Sequence, residues 1–442
     1  PAGGLVANGR EGSRMAPADV SNGLRVMVIT WNVGGQNADI RICQRLLAAA
    51  NGSRSHEVVC ICLQELIQGM RLLRGLLSDA EVFQALASWR RCMQPALGPP
   101  GSFDLLAQDA VAGCGMLLFG RPGVVVGPAL SDTCRCSAAG AGGTVNLNKG
   151  AACAVVHLAG NLGSCGFVGT HFTSGNFTIE TSEARCQDFH QVLRDLQPAS
   201  RVAENARGSA GSPKAGAAQY GLELLKYALA LPMGQSELER LDMLFFAGDL
   251  NIRLRMPQDA PNIAAALAAL ARGAPRAPEA LLARDELGWW RRSGQAFGED
   301  AGWCEAPVAF PPSYKITDKG GRIAYNSSRL PAWCDRILWR APGTSVQVNE
   351  YSSEAIVGGF DHAPVWLSLT LAKRGHSAVA RPGLRSVGPR PAPSAKTPTS
   401  AGFDAEMIGE DGAWHPCSRA GRRPGPGGTF EFCLERQPPA AE

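Results

Sequence analysis

The sequence predicts an α+β fold in which two β-sheets pack against each other as a sandwich. The chain has 442 residues, 45% of them hydrophobic, which suffices for one large domain with a sizeable core. Short apolar and β-branched runs, typical of strands, recur along the chain and alternate with a few longer helical segments. Several of these runs end in a polar side chain, and such residues would line one cleft if the strands belong to two packed sheets.

The predicted elements follow one another between Leu24 and Leu371. Alternating or fully apolar runs bounded by turn residues predict strands, and longer amphipathic stretches predict helices. We place strands at 24–30, 57–63, 103–107, 115–119, 123–126, 151–158, 163–169, 243–247, 346–351 and 365–371, one more at the end of 329–339, and helices at 40–50, 82–93 and 180–196. The three strands between 103 and 126 are assigned to the second sheet.

Composition divides the chain into three parts. Residues 1–23 are predicted to be a flexible lead-in, and 24–372 form the folded domain. Within that domain, 199–218 consist largely of Ala, Gly, Ser and Lys, which predicts a disordered insertion. Residues 373–442 are rich in Pro and Gly with little periodicity, so we expect a disordered tail. Its first part, up to Lys396, has six Lys or Arg residues and no acid, typical of a solvated linker or of a weak membrane tether.

Charge and cysteine content exclude few classes of function, but they indicate the cellular compartment. A net charge of +4 does not by itself indicate nucleic-acid binding. The 14 cysteines favour buried reduced thiols over a disulfide framework, and Cys134 and Cys136 lack a second pair at zinc-ligand spacing. We see no signal-peptide pattern and no apolar run of transmembrane length. We therefore expect a cytoplasmic protein.

The most informative stretch runs from Phe245 to Leu254. Its apolar beginning predicts a buried strand, and Gly248 permits a tight turn. Asp249 and Asn251 follow with one residue between them, so in an extended segment they point the same way. A carboxylate that orients water beside an amide that binds an anionic oxygen suits the cleavage of a phosphoester. The pair is equally compatible with an ordinary strand-to-turn transition.

Other polar residues follow predicted strands in the same way. A lone carboxylate after a buried strand is costly unless it meets a cation or a wet cleft, although it can also begin a helix. An adjacent Asp and His before a strand can form an Asx turn or hold a metal ion beside a general acid. The set comprises Asn32, Glu65, His171, Asp249, Asn251, Asp335, Asp361 and His362. Together they indicate one cleft assembled from distant parts of the chain.

With these motifs in place, the chain resembles the inositol polyphosphate 5-phosphatases of the endonuclease/exonuclease/phosphatase superfamily. Two signature motifs carry the resemblance, Phe246–Arg253 and Arg329–Leu338. Flanking blocks agree in family order: Thr30–Gly35, Leu63–Glu65, Asn148–Ala151, His171–Phe172, Arg185–Asp188, Tyr314–Lys315 and Asp361–Val365. The resemblance implies a deoxyribonuclease-I-like four-layer α/β/β/α sandwich over residues 24–372.

The resemblance also implies a metal ion and a catalytic pair. Glu65, with Asn32 and Asp361, would hold Mg²⁺, which prefers such hard oxygen ligands. His362 would be the catalytic histidine, and Asp335 would fix the orientation of its imidazole.

The remaining catalytic residues would act on the water and on the phosphate. Asp249 would orient or deprotonate the attacking water. Asn251 and His171 would bind non-bridging phosphate oxygens. Water would attack in line, without a covalent phosphoenzyme.

Substrate recognition is implied residue by residue. Tyr314, Lys315 and Arg329 match residues that bind the 4-phosphate of the inositol ring, and Lys149 would face the 1-phosphate side. The chain departs from the family pattern where Ser327 replaces a lysine, a charge that Lys319 or Arg322 could supply. It departs again where Phe360 replaces the serine before Asp-His, which would place a ring beside the catalytic pair.

The implied function is Mg²⁺-dependent hydrolysis of the 5-phosphate of phosphoinositides or soluble inositol polyphosphates. A lipid substrate implies peripheral contact with a membrane, for which the apolar residues Leu254 and Met256 are candidates. A nuclease of the same fold is disfavoured, because no basic and aromatic track for a nucleic-acid strand is evident. A catalytically weak phosphoinositide-binding module is the other alternative, left open by Ser327 and Phe360.

Overall fold

The computed structural model describes residues 23–50, 55–67, 78–136, 148–201, 236–255, 270, 279–318, 323–325 and 329–373, and four strand segments between 405 and 434. The chain divides into two compact units, Pro1–Gly375 and His376–Glu442. Most of the predicted lead-in 1–23 lies outside the described residues. Of the predicted insertion 199–218, only 199–201 are described, and they are helical rather than disordered, with backbone N–H groups bonded to Glu237 and Gln197.

The first unit contains fourteen strands and five α-helices among its described residues. The strands are β1 Leu24–Asn32, β2 Val58–Gln64, β3 Asp104–Val111, β4 Cys114–Gly120, β5 Leu130–Arg135, β6 Gly150–Leu158, β7 Gly163–His171, β8 Met243–Asp249, β9 Trp303–Cys304, β10 Ile316–Asp318, β11 Ile323–Tyr325, β12 Asp335–Arg340, β13 Thr344–Ser353 and β14 Val365–Lys373. The helices are α1 Ile40–Ala49, α2 Asp79–Leu97, α3 Ile179–Asp195, α4 Glu279–Leu282 and α5 Glu286–Ser293.

Twelve of these strands form two six-stranded sheets. The first has the order β13-β14-β1-β2-β4-β3 and the second the order β5-β6-β7-β8-β12-β9. Each contains one parallel pair, β1 with β2 and β7 with β8. The assignment of 103–107 and 115–119 to the second sheet was wrong, because β4 pairs antiparallel with β2 in the first. The predicted strand 123–126 contributes only a single bridge, between Val125 and Leu158.

Three apolar clusters stack the elements into four layers. Residues of both sheets, such as Cys60 and Phe167, share one cluster between the sheets. Helices α1 and α2 cover the outer face of the first sheet, with Trp89 fully buried against it. Helices α3 and α5 cover the second sheet through Phe189 and Trp290. The predicted α+β four-layer sandwich is therefore confirmed.

The parallel pairs bring the strand ends to one edge of the sandwich. His171 and Asp249 are register partners where β7 and β8 end, and Asp335 pairs with Asp249 where β12 begins. In the first sheet, β1 ends at Asn32, which is paired with Gln64 at the end of β2. This shared edge is where the chain delivers its buried polar side chains.

The second unit contains two short antiparallel pairs: Ala405–Ile408 with Trp414–Cys417, and Ala420–Pro424 with Phe430–Leu434. A disordered tail was expected over 373–442, and these four segments differ from that expectation. Apolar residues at alternate positions, as in Phe430-Glu-Phe-Cys-Leu434, favour a strand although the surrounding composition does not.

None of the described helices is long and apolar enough to cross a membrane. The cysteines in the described part of the first unit are free.

Substitution of Gly248 by alanine tests whether β7 and β8 approach each other closely just before Asp249. A Cβ at this position would lie 2.1 Å from the carbonyl oxygen of Thr170, a backbone atom that cannot move aside. We expect Gly248→Ala to lower the free energy of unfolding by about 3 kcal/mol or more. Gly343→Ala is the matched control, because nothing lies within 4 Å of its added Cβ. Thermal or urea unfolding that finds the two variants equally stable would contradict this packing.

Candidate active site

A buried carboxylate–imidazole pair forms the centre of the shared edge. Nδ1 of His362 donates to Oδ2 of Asp335 at 2.8 Å. The hydroxyl of Ser313 donates to the same carboxylate oxygen at 2.6 Å. Because the Asp335 bond fixes the ring, Nε2 of His362 faces Asp249, with 3.8 Å between Nε2 and Oδ2. All four side chains are at least nine-tenths buried.

The charges of this group are coupled. Burial alone would lower the pKa of His362 and favour the neutral imidazole. The carboxylates of Asp335 and Asp249 outweigh this effect and raise the pKa of His362 to about 9. Burial raises the pKa of Asp335, against the opposing effect of His362. His362 is therefore protonated at neutral pH and offers an Nε2–H to the cleft.

Asp249 is held ionised by its neighbours. Its Oδ2 accepts from Nδ2 of Asn32 at 2.9 Å and lies 3.3 Å from Nε2 of His171. Its Oδ1 accepts the backbone N–H of Asn251 at 2.9 Å. Burial opposes ionisation, yet the His362 cation and the hydrogen bond from His171 hold the pKa of Asp249 far below its usual range.

Lys149 lies behind His171 rather than on the face of the cleft. Its Nζ contacts Nε2 of His171, and only 2% of the residue is exposed. Burial lowers the pKa of Lys149, and burial together with Lys149 lowers the pKa of His171. The contact of Lys149 with the 1-phosphate side of a substrate stays a prediction.

Glu65 and Asn32 form the part of the site best suited to a cation. Glu65 adopts a left-handed backbone conformation, φ 51°, and its side chain is one-third exposed beside His171. Burial raises the pKa of Glu65, but His171 and Lys149 outweigh it and the net shift is downward. Oδ1 of Asn32 accepts the backbone N–H of Gly34 at 3.0 Å and has one lone pair left, which with the ionised Glu65 carboxylate is a donor set that divalent cations such as Mg²⁺ and Ca²⁺ accept.

Asp361, the third predicted metal ligand, is placed differently. Its Oδ2 pairs with Nζ of Lys315 at 3.4 Å, and its side chain is 38% exposed. Its Oδ1 lies close to Gly34, two residues beyond Asn32. Its role as a ligand stays a prediction.

A second set of possible ligand atoms lies deeper. Oxygen and nitrogen atoms of Asp249, Asp335 and His362 lie within 4.8 Å of one another. A cation bound by these three residues would have to compete with the 2.8 Å hydrogen bond that already joins His362 to Asp335. The donor chemistry therefore favours Glu65 over this set.

Asn251 is anchored at both ends of its amide. Its Nδ2 donates to the carbonyl of Phe172 at 3.0 Å, and its Oδ1 accepts from Arg253 at 2.6 Å. Its backbone is also left-handed, φ 52°. One amide hydrogen remains for a ligand, so its predicted contact with a phosphate oxygen is limited to that hydrogen.

Arg253 is a further residue of this cleft, and the sequence reasoning did not single it out. Its guanidinium lies 4.6 Å from the centre of the Tyr314 ring and also holds Asn251, so it links two predicted substrate-binding residues. The available signal was spacing, because Arg253 continues the alternation that begins with Asp249 and Asn251.

The predicted 4-phosphate residues lie at the mouth of the cleft. The Tyr314 ring is 4.6 Å from the imidazole of His362, and Lys315 is half-buried beside Asp361. Arg329 is partly buried, with Nη1 donating to Oδ1 of the exposed Asn176 at 2.6 Å. Ser327, Lys319 and Arg322, on which the charge of this region depends, lie outside the described residues.

Comparison with known proteins places this site in a family. Residues 29–368 match endonuclease/exonuclease/phosphatase family 2. The chain belongs to this family. It is 27% identical to type II inositol polyphosphate 5-phosphatase 15 of Arabidopsis thaliana, over 77% of the chain and 31% of that relative. It is 28% identical to phosphatidylinositol 3,4,5-trisphosphate 5-phosphatase 1 of Xenopus laevis, over 50% of the chain and 18% of that relative.

The chain thus spans a third or less of the length of these relatives. Their names confirm the resemblance to inositol polyphosphate 5-phosphatases that the two motifs predicted.

Solved structures of the family fold agree with the architecture. The inositol polyphosphate 5-phosphatase domain of SPsynaptojanin, in complex with inositol (1,4)-bisphosphate and a calcium ion, superposes with a TM-score of 0.55 at 18% identity, covering 79% of this chain and 85% of that one. A point mutant of Cimex nitrophorin, solved as a ferrous NO complex, gives 0.51 at 15% identity, covering 79% and 98%. At these identities the matches show the fold alone.

Glu65→Gln tests which residues hold the cation. Because it removes the charge of the carboxylate best suited to a cation, we expect it to weaken Mn²⁺ binding on the order of tenfold or more, since changes to outer-shell partners alone can cost that much. Mn²⁺ is titrated by electron paramagnetic resonance. Glu57→Gln is the control, because Glu57 pairs with Arg25 at the opposite end of β2. Weakening by Asp335→Asn but not by Glu65→Gln would assign the cation to the deeper set.

Proposed function

We propose that this chain is a Mg²⁺-dependent phosphatase that hydrolyses the 5-phosphate of phosphoinositides (the 4,5-bisphosphate, the 3,4,5-trisphosphate or both), of soluble inositol polyphosphates, or of both classes. The observation that carries the proposal is the Asp335–His362 pair, which directs a protonated imidazole towards an ionised Asp249 at one edge of the sandwich. The names of the relatives support the class of substrate.

In the proposed reaction Asp249 orients the attacking water. An ionised carboxylate accepts a hydrogen bond from water and so directs an oxygen lone pair at the phosphorus. The strongly lowered pKa makes Asp249 a weak base, so orientation is its main contribution.

His362 acts on the phosphate and on the leaving group. Its positive charge stabilises the charge that develops on phosphate oxygens, and its Nε2–H can protonate the departing inositol oxygen. A pKa of about 9 keeps this proton in place at neutral pH. Asp335 fixes the ring orientation, as the buried aspartate does in hydrolytic triads.

The remaining polar groups hold the phosphate. The free amide hydrogen of Asn251 and the imidazole of His171 are placed to bind non-bridging oxygens. Glu65 and Asn32, with Asp361, would hold Mg²⁺, which offsets negative charge on the phosphate when bound. Lys149 keeps His171 in position from behind, through their direct contact.

Selectivity for a 4-phosphorylated ring would come from the mouth of the cleft. Tyr314 offers a hydroxyl beside His362, and Lys315 and Arg329 offer cations that are partly exposed. A phosphate would compete with Asp361 for Lys315 and with Asn176 for Arg329, so these weak exposed contacts can open at low cost.

A phosphate-release panel tests the function. It contains inositol 1,4,5-trisphosphate, short-chain 4,5-bisphosphate and 3,4,5-trisphosphate lipids and a single-stranded oligonucleotide. Release of the 5-phosphate that needs Mg²⁺ and stops with EDTA supports the proposal, and the ratio of soluble to lipid turnover identifies the substrate. Binding without turnover would indicate a binding module, and cleavage of the oligonucleotide a nuclease.

Asp249→Asn tests the role of the carboxylate. The amide keeps the size of the side chain but cannot carry the charge that orients water, so we expect turnover to fall on the order of 10³-fold with the fold intact. Asp242→Asn is the control, since Asp242 bonds Ser164 at the opposite end of the parallel β7–β8 pair. Near-normal turnover by a folded Asp249→Asn protein would exclude this role.

We further propose that the cleft meets a lipid substrate through peripheral contact with the cytoplasmic face of a membrane. Leu254, a candidate for this contact, is only 1% exposed, and Met256 lies outside the described residues. Ile179 supports the contact better, because it is 68% exposed at the start of α3, three residues after the Asn176 that binds Arg329. An exposed apolar side chain next to a basic one suits a membrane surface.

Ile179→Glu should therefore lower the turnover of lipid substrates without changing the turnover of soluble ones. Loss of one buried aliphatic side chain at the membrane predicts an about tenfold or greater loss of activity on 4,5-bisphosphate vesicles, with soluble turnover unchanged. Val126→Glu is the control, because Val126 is 53% exposed but lies at the opposite end of β6 from the cleft. Equal vesicle activity in the two variants would place the membrane contact elsewhere.

A further inference from the structure

Trp31 connects the first sheet to the catalytic histidine. It is the penultimate residue of β1 and is fully buried. Its indole Nε1 donates to the backbone carbonyl of His362 at 3.1 Å. The next residue, Asn32, donates to Asp249 at 2.9 Å. Two consecutive residues of one strand therefore hold the two sides of the proposed reaction centre.

Phe360 holds the indole ring from one side. The Trp31 and Phe360 ring centres are 4.4 Å apart, and Trp89 of α2 packs edge-on against Trp31 at 5.7 Å. Phe360 is only 3% exposed and belongs to the cluster beneath α1 and α2. The expectation that its ring stands beside the catalytic pair is wrong, because the ring points into the core.

The Asp335 bond alone does not fix the position of His362. Asp335 begins β12 in the second sheet, whereas His362 lies in the loop that enters β14 of the first. The hydrogen bond from Nδ1 to Asp335 sets the orientation of the ring. The position of the loop that carries His362 depends on contacts to the loop backbone. The indole N–H is a directional contact of this kind, because it reaches the His362 carbonyl itself.

We propose that Trp31 and Phe360 are positioning residues that set the distance between Nε2 of His362 and the water held by Asp249. The proposal rests on the proposed function. Trp31 supplies the hydrogen bond to the loop, and Phe360, two residues before His362, packs against the indole and limits its movement. A shift of about 1 Å in a reacting group can cost about 10²-fold in rate without loss of substrate binding.

Trp31→Phe removes the hydrogen bond while it keeps an aromatic ring at this position. We expect turnover to fall about tenfold or more while the KM for the best substrate of the panel stays within about twofold. Trp290→Phe is the matched control. Trp290 is also fully buried and donates its indole N–H to Ser182 at 3.2 Å, but in the layer of α3 and α5. Both variants lose one buried hydrogen bond, so similar losses of thermal stability are expected.

The two outcomes are distinct. A selective fall in turnover for Trp31→Phe supports positioning, and equal turnover in the two folded variants overturns it. If Trp31→Phe does not fold, Phe360→Leu is compared with Phe119→Leu, because Phe119 is a fully buried residue of the same cluster. We then expect turnover to fall for Phe360→Leu but not for Phe119→Leu, with KM little changed in both. The wild-type protein is assayed first, because its failure on every substrate would overturn the proposed function. If the wild type is active but the variant and its control have equal turnover, only the positioning role is overturned.

Discussion

The hydrogen bond between His362 and Asp335 joins the two sheets, and the rest of the site depends on it. Each partner is almost completely removed from water, and a lone buried charge costs several kcal/mol. The pair is stable because Asp335 also receives the Ser313 hydroxyl and because the imidazole faces the Asp249 carboxylate. Removing one partner would leave the other as an uncompensated buried charge.

Several departures from ordinary backbone and burial preferences occur around this pair. Glu65 and Asn251 both adopt left-handed conformations that are uncommon outside glycine, Glu65 directly after β2 and Asn251 two residues after the end of β8. Such strain persists only where the surroundings enforce it, and it concentrates at functional sites. In this chain it turns a carboxylate and an amide into the cleft at the points where β2 and β8 end. Lys149 is a further costly feature, a buried ammonium stabilised by the carboxylates of Asp249 and Glu65.

Much of this arrangement could be predicted from the sequence because the catalytic residues follow strands. Apolar runs are visible locally, and a polar side chain directly after a buried run has few places to go except a shared edge. Asp249, His171 and Asp335 were correctly brought together on this basis. The α+β architecture followed from the same runs and from the resemblance to a family.

The errors have a common physical cause, which is that burial and sheet membership depend on distant contacts. The Phe360 ring was expected beside the catalytic pair, yet it packs into the cluster beneath α1 and α2. The strands at 103–107 and 115–119 joined the first sheet because β4 pairs with β2, and nothing local encodes that choice. Arg253 was overlooked because its partners, Asn251 and Tyr314, are brought to it only by the fold.

The stereochemistry of hydrolysis tests the central claim most directly. The substrate is inositol 1,4,5-trisphosphate whose 5-phosphate is replaced by a phosphorothioate made chiral with oxygen isotopes, turned over in isotopically labelled water. Water oriented by Asp249 and a leaving group protonated by His362 predict a single in-line displacement, and therefore inversion of configuration at phosphorus. Retention would reveal a covalent phosphoenzyme and would contradict the roles assigned to Asp249 and His362.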